Sequence, residues 1–463
     1  MATTIIIISV ICLLILFSGE KKNEHDYHAT FGNKSDHFSL FNHGFSVGEY
    51  SLTKKQSFQN VLCLGPTGSG KSQSVITRSI ISLARGKSSM VIFDPSGAEL
   101  FTLLSGYLDK KGYKVVQYNF MDSRYSECFN PLSDIQTVND AQKTALLLIR
   151  NTIGENKSDP FWENSAVMLI SLMIRFLVFH CEPQHRTLQN VLRLIETFAV
   201  DGDAISRLIL QTSDEGLLQN YKSTLVMGEK TLQSVISTAR TALNLWNDSE
   251  VVKTTCKSSI SFEDLRNDEY PIAIFITNPL RDLDYCKPIS CLFIQKLIDY
   301  SLERIPDEDE RSIFFVIEEA STMKFPNLSK IVSNIRKFCC GILLCVQDED
   351  ALVAQYGKAE AHQVRTNCGC RIYLKGSPAH TAKELSDIMG RYTIPNENRS
   401  RELMTADEIR MCEQAIVLVG HHAPILINPV PLYKSLWYRH LAKPNPIEVT
   451  EKNIDKPPLL NLL

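Results

Sequence analysis

The chain carries thirteen cysteines but has no Cys-x-x-Cys pair and no Cys/His run at metal-ligand spacing, which argues against a zinc site. It also lacks an excess of positive charge: 49 Lys and Arg stand against 52 Asp and Glu, for a net charge of −3. A nucleic-acid partner, if there is one, must meet a local basic surface or an assembled channel. Internal repeats are absent, so the chain is not a solenoid. Its apolar N-terminus has no preceding Lys or Arg and no small-x-small cleavage site, which sets aside an ordinary secretory signal.

What is present suits a globular protein. At 463 residues the length suggests two or three domains, and 44% hydrophobic residues are ample for a core. From Ile5 to Phe17 the sequence reads IIIISVICLLILF, and the uncharged stretch extends from Met1 to Gly19. That is near the lower limit of about 17 residues for a spanning helix. Lys21-Lys22 follow at once and place the C-terminal side in the cytoplasm. Residues 1–19 are read as a single-pass membrane anchor, with a buried or peripheral helix, or a β-rich stretch, as the competing reading.

Residues 65–72 form a complete phosphate-binding loop: Gly65-Pro66-Thr67-Gly68-Ser69-Gly70-Lys71-Ser72. The apolar run Asn60-Val61-Leu62-Cys63-Leu64 before it reads as a buried strand. The segment Gln73 to Ala84 after it has apolar residues at helical spacing. Strand, glycine loop and helix are the context that gives the motif its mechanism. The glycines let successive backbone N–H groups curl around a β-phosphate, and the helix N-terminus adds partial positive charge. Lys71 is expected to reach the β- and γ-phosphates and Ser72 to ligate Mg2+, so ATP with Mg2+ is the expected ligand. Such a site implies a reducing compartment. The densest cysteine clusters, Cys339-Cys340 and Cys368-Gly369-Cys370, then read as buried free thiols.

Short apolar strands alternate with helices on both sides of a long helical stretch. Strands are expected at Ser89–Asp94, Lys114–Tyr118, Tyr270–Ile276, Ser312–Ile317, Gly341–Val346, Cys370–Leu374 and Gln414–Gly420. This rhythm argues for an α/β fold, a mostly parallel sheet covered on both faces. From about Asp140 to Val251 only helical periodicity appears, which reads as an inserted all-α domain. The expected division is a 1–19 anchor, a 20–57 linker with room for a hairpin, and a nucleotide-binding domain in two parts, 58–139 and 252–442. The all-α domain spans 140–251, and a disordered, proline-bearing tail spans 443–463.

Phe314-Phe315-Val316-Ile317-Glu318-Glu319 ends a strand with two carboxylates. A P-loop ATPase needs one acid there to hold Mg2+ and a second to polarise the attacking water. Glu318 is assigned to the metal and Glu319 to the water. Gln347, at the tip of the next strand, is expected beside the γ-phosphate. Arg336 is either an arginine finger acting on a neighbouring subunit or a surface ion-pair partner.

With these residues in place the chain resembles the type IV secretion coupling proteins of the TraG/TraD conjugation family. The likeness rests on GPTGSGKS (65–72), FDPSGAEL (93–100), Phe129-Asn130-Pro131-Leu132 and Asp159-Pro160-Phe161-Trp162. The most specific part is FFVIEEASTMKFPNLSKIVSNIRKFCCGILLCVQ (314–347), with QYGKAEAHQVRTNCGCRIYL (355–374), TAKELSDIMGRYT (381–393) and SRELMTADEIR (400–410). It implies a membrane-anchored ATPase with a RecA-like domain and a small all-α domain. It also implies a homo-hexamer that binds a relaxase–DNA complex and delivers it to the inner-membrane components of a secretion channel. Gln347 as sensor and Arg336 as trans finger follow from the same likeness. The chain departs from the family in having Ser96 where Lys is frequent, Glu318 where Asp is usual, and one short span where two are common. Two alternatives stand beside this reading: an ATPase recruiting protein effectors without DNA, and a platform that binds ATP only to assemble. Lys71, Ser72, Glu319 and Gln347 argue against the platform.

Overall fold

The computed structural model describes residues 28–154, 160–394, 399–435 and 446–462. Its centre is a nine-stranded sheet. In chain order the strands of the protein are β1 (Ser46–Val47), β2 (Tyr50–Ser51), β3 (Val61–Leu64), β4 (Ser89–Phe93), β5 (Lys114–Tyr118), β6 (Ile272–Ile276) and β7 (Ile313–Ile317). They continue with β8 (Cys340–Val346), β9 (Cys370–Tyr373), β10 (Arg391–Thr393), β11 (Ser400–Glu402), β12 (Ala415–Val419) and β13 (Ile425–Ile427). The large sheet runs β13-β12-β9-β3-β8-β7-β4-β6-β5, and β1-β2 and β10-β11 are separate two-stranded ribbons. From β9 to β5 every pairing is parallel, while β12 runs antiparallel to β9 and β13 to β12. β3, β4, β6, β7 and β8 are buried along their whole length, as their uninterrupted apolar runs require when helices cover both faces.

Between β5 and β6 the chain leaves the sheet and forms helices from Val138 to Thr254 with no strand among the described residues. Their centre is the helix Phe161–His180, which packs against the helices Val138–Thr152, Leu188–Val200 and Glu229–Leu243. Among the described residues it is the one helix long and apolar enough to cross a membrane, but 61% of its apolar window is buried. An all-round apolar helix inside a bundle is a core helix. The anchor expected at 1–19 lies outside the described residues.

Two expectations need correction. From residue 28 the segment read as a linker is packed onto the sheet domain: Phe38, Phe45, Val47 and Leu52 are buried. Phe45 meets Phe314 edge-on at 5.2 Å, and the Gly48 N–H donates to the Ser74 carbonyl at 2.8 Å. Isolated apolar residues spaced among polar ones suffice, because hairpin β1-β2 turns them all to one side. The tail expected to be disordered is, over 446–462, an extended strap. The Ile447 N–H donates to Ser105 Oγ at 3.2 Å, the Lys452 N–H to the Arg124 carbonyl at 2.9 Å, and the Leu460 N–H to Asn190 Oδ1 at 3.0 Å. Ile454 is buried and Lys452 pairs with Glu127. The prolines that suggested disorder instead hold φ in the extended range that such a strap needs.

Candidate nucleotide-binding site

Because β3, β8, β7 and β4 are parallel neighbours, their carboxyl ends share one edge of the sheet. This brings together the loop after β3, Gln347 after β8, Glu318-Glu319 after β7 and Asp94 to Ser96 after β4. Adjacent parallel strands turning into loops at one edge form a crevice there.

The loop after β3 is held in a cradle. The Gly65 N–H donates to the Val346 carbonyl at 3.3 Å and the Ser69 N–H to the Pro66 carbonyl at 3.1 Å. Gly68 and Gly70 adopt φ +80° and +96°, conformations open to glycine at little strain. A Cβ on Gly65 would stand 2.5 Å from Ser69 Oγ, so this position needs glycine for room. A wide first turn, Lys71–Ile76, leads into the helix Thr77–Arg85, and Gly70 supplies no side-chain cap for it. The opening amides of the helix are thus left facing the cradle. Thr67 and Gly68 are exposed at its rim, while Ser69 is buried with a hydroxyl that has no hydrogen-bond partner among the described residues. The Lys71 ammonium is folded back onto the Gly65 and Pro66 carbonyls, the latter at 3.3 Å.

Ser72 Oγ donates to Glu318 Oε1 at 2.5 Å, and Ser96 Oγ stands 3.4 Å from Glu318 Oε2. Glu318 is only 7% exposed, and burial pushes its carboxyl up to about 7. Ser72 and Ser96 oppose that shift, whereas the charges of Asp94 and Glu99 add to it. Asp94 is fully buried and is likewise pushed up to about 6 by burial. Its Oδ2 accepts the Leu100 and Phe101 N–H groups at 2.8 and 3.1 Å, while Oδ1 has no hydrogen-bond partner among the described residues. A hydroxyl in contact with a costly buried carboxylate, backed by two further acids and an unpaired oxygen, fits a hard dication with oxygen ligands. The glycine cradle and the unpartnered Ser69 hydroxyl fit a phosphate.

Glu319 directly follows Glu318, is partly exposed, and accepts the Ser321 hydroxyl. Gln347 is exposed beside Gly65, and its side chain makes no hydrogen bond among the described residues. Arg336 is not brought into this edge. It lies exposed in the turn Ile335–Phe338, before the start of β8, at the opposite end of the sheet. Sequence reasoning singled out neither Asp94 nor Glu99 as a site residue, and it took Ser96 only as a departure from a family pattern. The available signal was a second strand ending in an acid, Phe93-Asp94, but only the sheet order sets it beside Glu318.

A family model described as type IV secretory system conjugative DNA transfer matches residues 20–429. A conjugal transfer protein TraG of Escherichia coli is 23% identical over 375 residues, covering 76% of this chain and 58% of the relative. The type IV secretion system-coupling protein VirD4 of Bartonella henselae is 21% identical over 336 residues, 66% of this chain and 50% of the relative. The chain thus spans a little over half the length of the curated relatives it matches. Among solved structures, the plasmid coupling protein TrwB with a non-hydrolysable GTP analogue superposes with a TM-score of 0.68 at 17% identity, covering 85% of this chain and 90% of that one. TrwB has also been solved with a non-hydrolysable ATP analogue and with ADP and Mg2+. The likeness shows a shared fold.

Proposed function

The chain belongs to the type IV secretory system conjugative DNA transfer family, and from that premise we propose that it is a membrane-anchored ATPase coupling protein. In this reading it recruits DNA, as a relaxase–DNA complex, and drives it into a type IV secretion channel. The observation that carries the catalytic part is the 2.5 Å contact between Ser72 Oγ and Glu318, set against a glycine cradle at one sheet edge. Lys71 swings from the Gly65 and Pro66 carbonyls to the β- and γ-phosphate oxygens, where its charge offsets the charge developing on transfer. Ser72 and Glu318 hold the cation, with Asp94 lending negative field from behind. Bound Mg2+ supplies charge neutralisation at the phosphates. Glu319 leaves Ser321 to orient the attacking water, and Gln347 stands at the strand tip where a terminal phosphate would be sensed.

The partners in this reading are DNA and relaxase, the inner-membrane components of the channel, and further copies of the chain in a homo-hexamer. With a net charge of −3, phosphate contacts must converge by assembly. Residues 1–19 provide the anchor, with the catalytic part in the cytoplasm. Replacing Lys71 by Ala tests the motor. The expected result is an unchanged far-UV circular dichroism spectrum, ATPase activity at background and no substrate transfer in mating assays. Transfer at wild-type frequency by this variant would overturn the reading.

A further inference from the structure

Cys128 and Cys256 meet at the neck of the helical insert. Cys128 lies on the chain's way out, shortly after β5, and Cys256 on its way back, just past the helix Ser249–Thr254. The two connections are zipped together. The Phe129 N–H donates to the Thr254 carbonyl at 2.8 Å and the Ser259 N–H to the Cys128 carbonyl at 2.9 Å. The Cys128 N–H donates to Ser259 Oγ at 3.0 Å and the Asn130 N–H to Ser258 Oγ at 3.2 Å. Inside this zip the two cysteines share one acceptor, for the Cys256 N–H donates to the Lys253 carbonyl at 3.5 Å. Cys128 is buried, with its Sγ also 3.6 Å from the Lys253 carbonyl, while Cys256 is partly exposed. A second neighbouring pair, Cys63 and Cys345, faces across β3 and β8, is buried, and gives a reagent no entry.

The two sulfurs have different chemistry. Contact with Cys128 and the neighbouring Lys257 ammonium lower the Cys256 thiol, against the effect of burial. Contact with Cys256 and burial push Cys128 up. A partly exposed thiol with a lysine beside it, set against a buried partner, is the arrangement of an attacking and a resolving cysteine.

We propose that Cys128 and Cys256 form a modification site, a dithiol that small-molecule disulfides such as oxidised glutathione convert into a disulfide across the neck of the insert. The Cys256 thiolate attacks one sulfur of the reagent and forms a mixed disulfide, and one glutathione thiolate leaves. Cys128 then gives up its proton, and its sulfur displaces the second glutathione from Cys256. The protein loses two hydrogens and the reagent is reduced to two thiols. The bond formed encloses every helix from Val138 to Thr254 in one covalent loop. It fixes both connections of the insert where only hydrogen bonds held them.

The test is to incubate the full chain with oxidised glutathione near neutral pH, alkylate it, and map its peptides without reduction. The expected map contains a linked peptide holding Cys128 and Cys256, lighter by the two hydrogens lost and released by dithiothreitol. Cys128→Ser should stop at the mixed disulfide on Cys256, and Cys256→Ser should leave Cys128 unmodified. Before oxidation, Cys256 should alkylate about tenfold or more faster than Cys181, a partly exposed thiol pushed up to about 11 by burial. The wild-type map does not depend on how the variants fold. The proposal is overturned if wild-type Cys256 carries glutathione while Cys128 stays alkylatable, or if Cys256 reacts no faster than Cys181.

Discussion

At the scale of single residues, Glu318 holds the site's electrostatic tension. A carboxyl raised from its ordinary value to about 7 keeps its proton in the native state where the unfolded chain has already released it. Between the unfolded value near 4.5 and about 7, the native state therefore binds more protons, and stability falls as pH rises. Asp94, raised to about 6, acts with the same sign. In metal-free protein, Glu318→Gln should leave stability unchanged below pH 4.5 and raise it by on the order of 2 kcal/mol at pH 8, because the amide never has to ionise in the buried site. Thermal melts at the two pH values without Mg2+ would check this, and equal melts for variant and wild type at pH 8 would contradict it. The same substitution should abolish the Mg2+-dependent part of nucleotide binding, since an amide offers the cation no charge. A residue that destabilises the empty site and is needed by the loaded one marks function rather than structure.

At the scale of elements, β3 is fastened to neighbours far away in sequence by the residue before it. Asn60 sits at φ +64°, and its buried side chain donates to the Val332 carbonyl at 2.7 Å and accepts the Ile342 N–H at 2.9 Å. Its own carbonyl accepts the Cys370 N–H at 3.2 Å. One side chain thus sets β3, which carries the phosphate loop, against β8 and the helix Leu328–Asn334. Asn60→Ala should destabilise the protein by about 2–4 kcal/mol, the sum of two buried hydrogen bonds and asparagine's better tolerance of the left-handed conformation. Asn60→Gly keeps the backbone relaxed and should recover roughly 1 kcal/mol of that loss. Chemical denaturation of the three proteins would measure both effects, and an alanine variant as stable as wild type would refute the fastening role.

Elements of this kind show what the sequence could and could not reveal. The buried strands were legible because each is a continuous apolar run ended by a turn signal, as in Ile313–Ile317 before Glu318. β13 was not, since Ile425-Leu426-Ile427 is a three-residue run after Pro424 whose identity as a strand comes only from pairing with β12. The eight residues of the phosphate loop are contiguous, so the glycine-rich turn they form after β3 was readable directly. Asp94 and Glu99 reach Glu318 through the order β7-β4, which no local pattern encodes. The closing strap was misread because proline content reports backbone stiffness, and stiffness serves an ordered strap as well as a disordered tail.

At the scale of the whole molecule, the position of Arg336 sets a geometric condition. It precedes β8 whereas Gln347 follows it, and at about 3.3 Å per residue the seven residues of that strand separate the two by roughly 20 Å. An arginine side chain cannot span that distance, so within one chain Arg336 plays no part at the nucleotide. It is exposed and, among the described residues, engaged in no ion pair, which leaves the guanidinium available to a neighbouring copy. A head-to-tail ring would meet the condition, because each interface places the back of one subunit against the front of the next. Arg336→Ala and Glu319→Gln should then each be inactive alone, the first lacking the finger it lends and the second the group that orients water. Mixed together they should regain activity wherever an Arg336→Ala subunit, with its own Glu319 intact, receives Arg336 from a Glu319→Gln neighbour. In an equal mixture with independent sites that arrangement occurs at about a quarter of the interfaces, so about a quarter of wild-type turnover is expected. Steady-state ATPase measured across mixing ratios, with mixed oligomers verified by native mass spectrometry, provides the check. Activity that stays at background at every ratio would leave Arg336 a surface residue and require another source for the positive charge at the transferring phosphate.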